Sequence, residues 1–278
     1  MCHGVLLRYY TVTRERGEIM KRVLGLFKRE LQLHYRWLLA LSALTIGVTI
    51  GIPFLVKRYI DSTIHVSNVV FIMAAIVSIL SFMIVCLQFF TNLRSELNRV
   101  DIWLHTQAPF YELILAKVFF SVITSIILTF LMSVEMLVAA STEVSITFFQ
   151  QIKFLLVMIF LSISLIFSFL PITLLLFTCY VKLKKWIGRF SYMAIVILFF
   201  GIIFLFDKII SSSLYRDFFL DGIKTNKWID TAIEPIGKVF DVSFLSGDYY
   251  LREDLLSIVL TVILIIFGVK WCEKVVKE

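Results

Sequence analysis

The chain has 278 residues, of which 60% are hydrophobic and 17% charged, with a net charge of +7 and a mean hydropathy of +0.93. A soluble domain of this length keeps a charge-rich surface around one core, so these proportions exclude an ordinary soluble protein. The apolar residues form long runs instead of alternating with polar ones, which excludes an outer-membrane barrel and predicts an all-α, polytopic membrane protein.

Residues 1–19 are polar and lack the apolar stretch of a signal peptide. Arg16-Gly-Glu-Ile-Met20 reads as the translation of a purine-rich ribosome-binding site ahead of a start codon. Two readings of this leader stay open: a bacterial gene that starts at Met20, or a short disordered tail. Residues 20–278 read as a single transmembrane domain. From Met20 to Arg36, Val23, Leu24, Phe27, Leu31 and Tyr35 recur at helical spacing, with Lys21, Arg22, Lys28, Arg29 and Arg36 between them. That pattern predicts an amphipathic N-terminal interfacial helix, either an elbow that positions the first span or a plain anchor.

Six transmembrane helices are expected next, at about 37–54, 69–90, 118–140, 154–179, 190–206 and 255–269. In the first, Gly47-x-x-x-Gly51 fits close packing on a neighbouring helix. The third is punctuated by Ser121, Thr124, Ser125, Thr129 and Ser133, and the fourth by Ser162, Ser164, Ser168 and Thr173. Hydroxyls in such positions favour helix–helix contacts over substrate ligation. Pro171 removes one hydrogen bond from the fourth span, which leaves both a packing kink and a gating hinge open. Glu135 is the single Asp, Glu, Lys or Arg inside the predicted spans. Its position near the outer end of the third span favours a carboxylate reaching interfacial water, against an ion relay.

The loops carry the orientation. The segment before the first span, the second-to-third and fourth-to-fifth loops and the tail hold 18 of the 27 Lys and Arg residues, and the opposite side holds nine. The positive-inside rule then places both termini in the cytoplasm, and the net positive charge reflects topology and anionic lipids, not nucleic acid.

Catalytic chemistry is poorly supplied. Cys2, Cys86, Cys179 and Cys272 show no metal-ligand spacing and none falls in a predicted external loop; His3, His34, His65 and His105 are scattered outside the spans. No GxxxxGK[ST] phosphate loop occurs among the 11 glycines. The chain is therefore expected not to be an enzyme, to bind no cofactor or metal, and to draw on energy supplied from outside if it transports anything.

The cytoplasmic segment 93–117 carries the most specific pattern. Leu93, Leu97, Val100 and Leu104 follow helical spacing, Glu96 and Arg99 occupy a neighbouring polar face, and Ala108-Pro109 breaks the helix before Phe110 restarts it. Such an element can dock on a partner and pass a rigid-body push to two spans. Six spans, cytoplasmic termini and Glu96…Arg99…Trp103-Leu104…Pro109…Lys117 resemble the type-2 ATP-binding-cassette exporter permeases. In that family the loop between spans two and three forms a coupling helix seated in a groove of a separate ATPase. The resemblance implies ATPase-coupling roles for Arg94, Glu96, Leu97, Arg99, Val100, Trp103, Leu104 and Pro109. The chain departs from the family at Val100-Asp101, where a small residue often follows the Glu–Arg pair.

By the same resemblance, the external segment 207–254, with 214–220 and 228–233 mixed in polarity, holds re-entrant or interfacial helices that close the outer mouth; a small folded cap without a gating role is the other reading. The resemblance further implies a permease subunit of the bacterial cytoplasmic membrane, a second permease copy or homologue, and a partner ATPase carrying ATP and Mg. Phe-rich spans with few intramembrane charges favour an amphipathic or hydrophobic cargo such as a peptide, antibiotic or lipid-like molecule. The alternative reading is a non-transporting regulatory or sensor subunit.

Overall fold

The computed structural model describes residues 2–59, 65–97, 109–219, 224, 227–237, 240 and 250–277, with the backbone path alone for 2–19. Among the described residues the elements are α1 (Cys2–Tyr59), α2 (Val66–Leu97), α3 (Phe110–Ser141), α4 (Phe148–Ile187), a 3-10 turn (Gly188–Phe190), α5 (Ser191–Ile210), α6 (Ser213–Phe219), α7 (Lys227–Gly237) and α8 (Leu251–Lys277). Five helical runs are long and apolar enough to cross a membrane: Met20–Tyr59, Val66–Glu96, Phe110–Ser141, Phe148–Ile210 and Leu251–Val276. The chain is an all-helical, polytopic membrane protein.

Two expectations change in form. The basic stretch 20–36 is not a separate interfacial helix but part of one unbroken helix that continues to Tyr59. No glycine or proline stands between Gly25 and Gly47, so nothing in the backbone favours an elbow at Arg36-Trp37. The predicted fourth and fifth spans fall in one helical run, Phe148–Ile210. Inside that run Gly188 ends α4 at φ 59°, a left-handed conformation suited to glycine, and its N–H bonds the Lys184 carbonyl. Tyr180 Oη then donates to Tyr192 Oη at 2.9 Å. A straight helix would hold those residues about 18 Å apart, so the chain bends at Gly188 and brings the start of α5 against the end of α4. Gly188→Ala should therefore lower stability by about 1 kcal/mol, read as the midpoint of thermal unfolding in detergent; an unchanged midpoint would show that the turn tolerates a Cβ.

α3 is the central helix, packed on α1, α2 and α4, while α8 lies chiefly on α4. The tight crossing is at Gly268, where an added Cβ would sit 3.1 Å from Leu174 Cδ2. Gly47 and Gly51 have nothing within 4 Å of an added Cβ, so the close contact expected of that pair is not made among the described residues. The reason is rotational: α1 buries Leu38, Leu41, Thr45 and Thr49, and the glycines lie on another face. Pro171 is buried inside α4, which continues helically through it.

Two apolar cores stack along the bundle. One joins Val85, Phe89 and Leu93 of α2 to Leu128 of α3, Ile166, Leu170, Phe177 and Tyr180 of α4, and Cys272 of α8. The other, at the opposite end, joins Phe71 and Ala74 of α2 to Met136 and Ala140 of α3 and Phe154 and Val157 of α4. Here α7 contributes Ile229, Ala232, Ile233 and Ile236, and Phe240 stacks on Phe71 with centroids 4.1 Å apart. The two mixed stretches of the long segment thus become helices, 214–220 mostly within α6 and 228–233 within α7. Tyr215 of α6 donates to Glu253 Oε1 of α8 at 2.8 Å. Burial, then the hydrogen bond and charge of that carboxylate, push the Tyr215 phenol up to about 12. α5 leaves Val196, Ile197, Phe200 and Phe204 exposed, an outward face suited to lipid.

Candidate functional site

α1 turns one side inward at Glu30, His34, Leu38, Leu41, Thr45 and Thr49, spaced by three or four residues. α3 presents Glu112, Lys117, Ser121, Thr124 and Ser125 to the interior. Where the two helices meet beside the end of α2, their ionisable residues collect. Lys117 Nζ lies 3.1 Å from Glu30 Oε1 and 3.3 Å from Glu96 Oε1. Arg29 reaches the same two carboxylates, at 3.1 Å and 2.6 Å. Two cations and two carboxylates from three helices form a neutral quartet.

Burial gives the quartet its weight. Lys117 and Glu30 are each 2% exposed and Glu96 15%, while Arg29, at 34%, forms the wet edge. Bringing such charges out of water costs several kcal/mol per ion, repaid only by close, well-shaped pairing. His34 borders the quartet, with Nε2 3.7 Å from Glu30 Oε2 and its ring centroid 5.6 Å from that of Phe120. One turn nearer the start of α3, fully buried Glu112 accepts from Arg22 at 3.1 Å. A second ion pair therefore joins α1 to α3, and both sit at the end of the bundle flanking residues 98–108.

The residues expected to couple to a partner divide into three sets. Arg99, Val100, Trp103 and Leu104 lie outside the described residues, as does Leu97 beyond its backbone. Pro109 stands at the start of α3 with φ −64° and ψ 149°, the extended conformation that a helix-initiating proline favours. Arg94 and Glu96 belong to α2 itself, which runs unbroken to Leu97 instead of ending near residue 90. Glu96 turns inward to the quartet. Arg94 places its guanidinium 5.2 Å from the centroid of Tyr192, linking α2 to the start of α5.

Arg29, Glu30 and Glu112 are not among the site residues expected from the sequence; Arg29 stands there as a charge of the amphipathic stretch 20–36, and Lys117 only as the end of the 93–117 pattern. One mark was available: Glu30 is the lone acid between Met20 and Ile60, on an otherwise basic helix. An isolated acid there asks for a partner.

Deeper in the bundle three hydroxyls join two helices and others bond their own helix. Ser125 and Ser162 share a hydrogen bond of 2.7 Å, and Thr129 donates to Ser162 at 2.9 Å, which knots α3 to α4. Thr124 and Ser133 donate to carbonyls one turn back on their own helix. Glu135 is half-buried beside Thr49, and its Oε2 is buried with no hydrogen-bond partner. Among the described residues no three His, Cys, Asp or Glu side chains gather as metal ligands.

The arrangement can lock three helix ends together and transmit force through them. Compared with protein-family models, with curated proteins and with solved structures, the chain finds no match.

Proposed function

We propose that this chain is the membrane-spanning permease subunit of an ATP-binding-cassette exporter, energised by ATP hydrolysed with Mg on a separate cytoplasmic ATPase. The observation that carries the reading is the buried quartet. It binds the helix ends on both sides of segment 98–108, at Glu96 and Lys117, to α1 at Arg29 and Glu30. A partner pressing on 98–108 would thus move α1, α2 and α3 as one unit, since an interior ionic contact resists being opened one partner at a time. Loop displacement becomes helix displacement, as alternating access requires.

In this reading α5 counts as a sixth span. Its 20 residues reach about 30 Å, the thickness of the hydrocarbon layer. Both termini then lie in the cytoplasm of a bacterial cell, where the basic loops gather, and the basic turns of α1 at 20–36 meet the inner membrane surface. A second copy or homologue completes the pathway. The outward apolar faces and the scarcity of charge within the membrane spans suit an amphipathic or hydrophobic cargo.

Glu96 is held by Lys117 and Arg29, so the test spares it. Wild type and Arg99→Glu/Leu104→Asp are purified in mild detergent from native membranes. A nucleotide-binding ATPase should accompany the wild type and be depleted about tenfold or more in the variant, the expected result of burying like or unpaired charge at a docking helix. Absence of any ATPase from the wild-type preparation, or its equal recovery with the variant, overturns the proposal.

A further inference from the structure

Glu135 stands apart from the charged groups already described. It lies six residues before the end of α3, about 9 Å along the helix axis. The ion pairs of this bundle gather at its ends, whereas the polar neighbour of Glu135 among the described residues is the hydroxyl of Thr49 on α1. Thr49 is fully buried, and its hydroxyl already donates to the Thr45 carbonyl at 2.9 Å. Among the described residues the Thr49 hydroxyl is the polar contact of this carboxyl group, and Oε2 is buried with no hydrogen-bond partner and no cation opposite it. An uncompensated carboxylate at membrane depth is costly, and a cation supplied from outside the chain is one way to relieve it.

The surroundings define what that cation can be. Val138 of α3, three residues on and about 60° around the helix from Glu135, is 62% exposed, and Phe130 on the same side is 45% exposed. Across the seam, Ile50 and Phe54 of α1 are 42% and 61% exposed. The carboxyl group thus sits where the α1–α3 seam meets the lipid-facing surface, with polar atoms inward and apolar side chains outward. A strongly hydrated metal ion or a bulk-water solute has no polar approach from that side. A lipophilic ammonium or phosphonium has one, because its apolar body can stay among Ile50, Phe54, Phe130 and Val138 while its charge meets Glu135.

We propose that Glu135, with Thr49 beside it, is the recognition point for an amphipathic cation that enters from the bilayer between α1 and α3. Calling that cation the cargo rests on the permease reading; its binding does not.

The test uses the full chain in lipid nanodiscs with no ATPase present. Tetraphenylphosphonium is the probe, and tetraphenylborate, of similar shape and opposite charge, is the control. The wild type should bind the phosphonium saturably and show no matching site for the borate. Glu135→Gln should weaken phosphonium binding about tenfold or more, the loss expected for one charge-assisted contact, while Glu135→Asp should retain most of it. Thermal unfolding of both variants, alongside the wild type, establishes that they are folded. Equal binding by folded Glu135→Gln, equal binding of the borate, or no saturable phosphonium site in the wild type overturns the inference. Co-purification of an ATPase is unaffected by any of these results, so the two proposals fail separately.

Discussion

Lys117→Met should destabilise the protein by about 3–5 kcal/mol, the range for removing one partner from a buried ion pair. The substitution keeps the length and the apolar stem of the side chain, so the loss is one of charge. It leaves Glu30 and Glu96 facing each other, with Arg29, one-third exposed, as the nearest remaining cation. Two carboxylates then share one guanidinium in a site where neither reaches bulk water easily. Adding Glu30→Gln restores neutrality, because Arg29 and Glu96 remain a pair at 2.6 Å. The double variant should therefore recover well over half of the lost stability, a coupling that independent sites would not show. Thermal or SDS-induced unfolding in one detergent would measure all three proteins. A single variant as stable as the wild type, or a double variant no better than the single, would mean that the quartet does not hold α1 to α2 and α3.

At the other end, Ile233→Asp should release α7 from the bundle. Ile233 is 3% exposed and shares its core with Phe71, Met136 and Phe154. A carboxylate placed there has no cationic partner among those apolar residues, and burying it costs several kcal/mol. Undocking α7 also removes the apolar cover that Ile229, Ala232 and Ile236 provide to α2, α3 and α4. The expected result is much faster proteolysis within 220–250 in intact vesicles, with the membrane helices still protected. Asp230→Asn, at an exposed position of the same helix, should leave the cleavage rate close to wild type. Unchanged cleavage in Ile233→Asp would show that α7 is held by something other than its buried face.

Much of the architecture follows from local pattern. Long apolar runs locate the spans and Pro109 marks the start of α3, because helix propagation and helix arrest depend on residues a turn or less away; the end of α4 at Gly188 lies beyond the apolar run that marks the fourth span to about 179. Of the hydroxyls of α3 and α4, Ser125, Thr129 and Ser162 make the expected helix–helix contact, whereas Thr124, Ser133, Ser168 and Thr173 donate to carbonyls of their own helix. Length was harder to read. Amphipathic periodicity at 20–36 and from Leu93 to Leu104 suggests separate helices, yet 20–36 and the described part of the second stretch, 93–97, extend spanning helices, since a change in polarity along a helix does not interrupt its hydrogen bonds.

The candidate site was less legible, because its members are 1 to 90 residues apart in the chain. Glu96 is a case in point. Its neighbours in sequence made it part of a partner-facing surface, whereas the rotation of α2 turns it toward Lys117 and Arg29. Gly47 and Gly51 show the converse: the spacing is right for a close crossing, but α1 presents a different face to the bundle, and Gly268 makes the tight contact instead. What the amino-acid sequence determined by itself is the membrane class, the helices and the ends at which positive charge collects, all of which depend on composition and short-range pattern. Which charges neutralise one another, which glycine lies at a crossing, and which apolar residues beside Glu135 stay exposed were decided only by the tertiary structure. Each depends on how helices are rotated about their axes, a quantity set by the packing of the whole bundle.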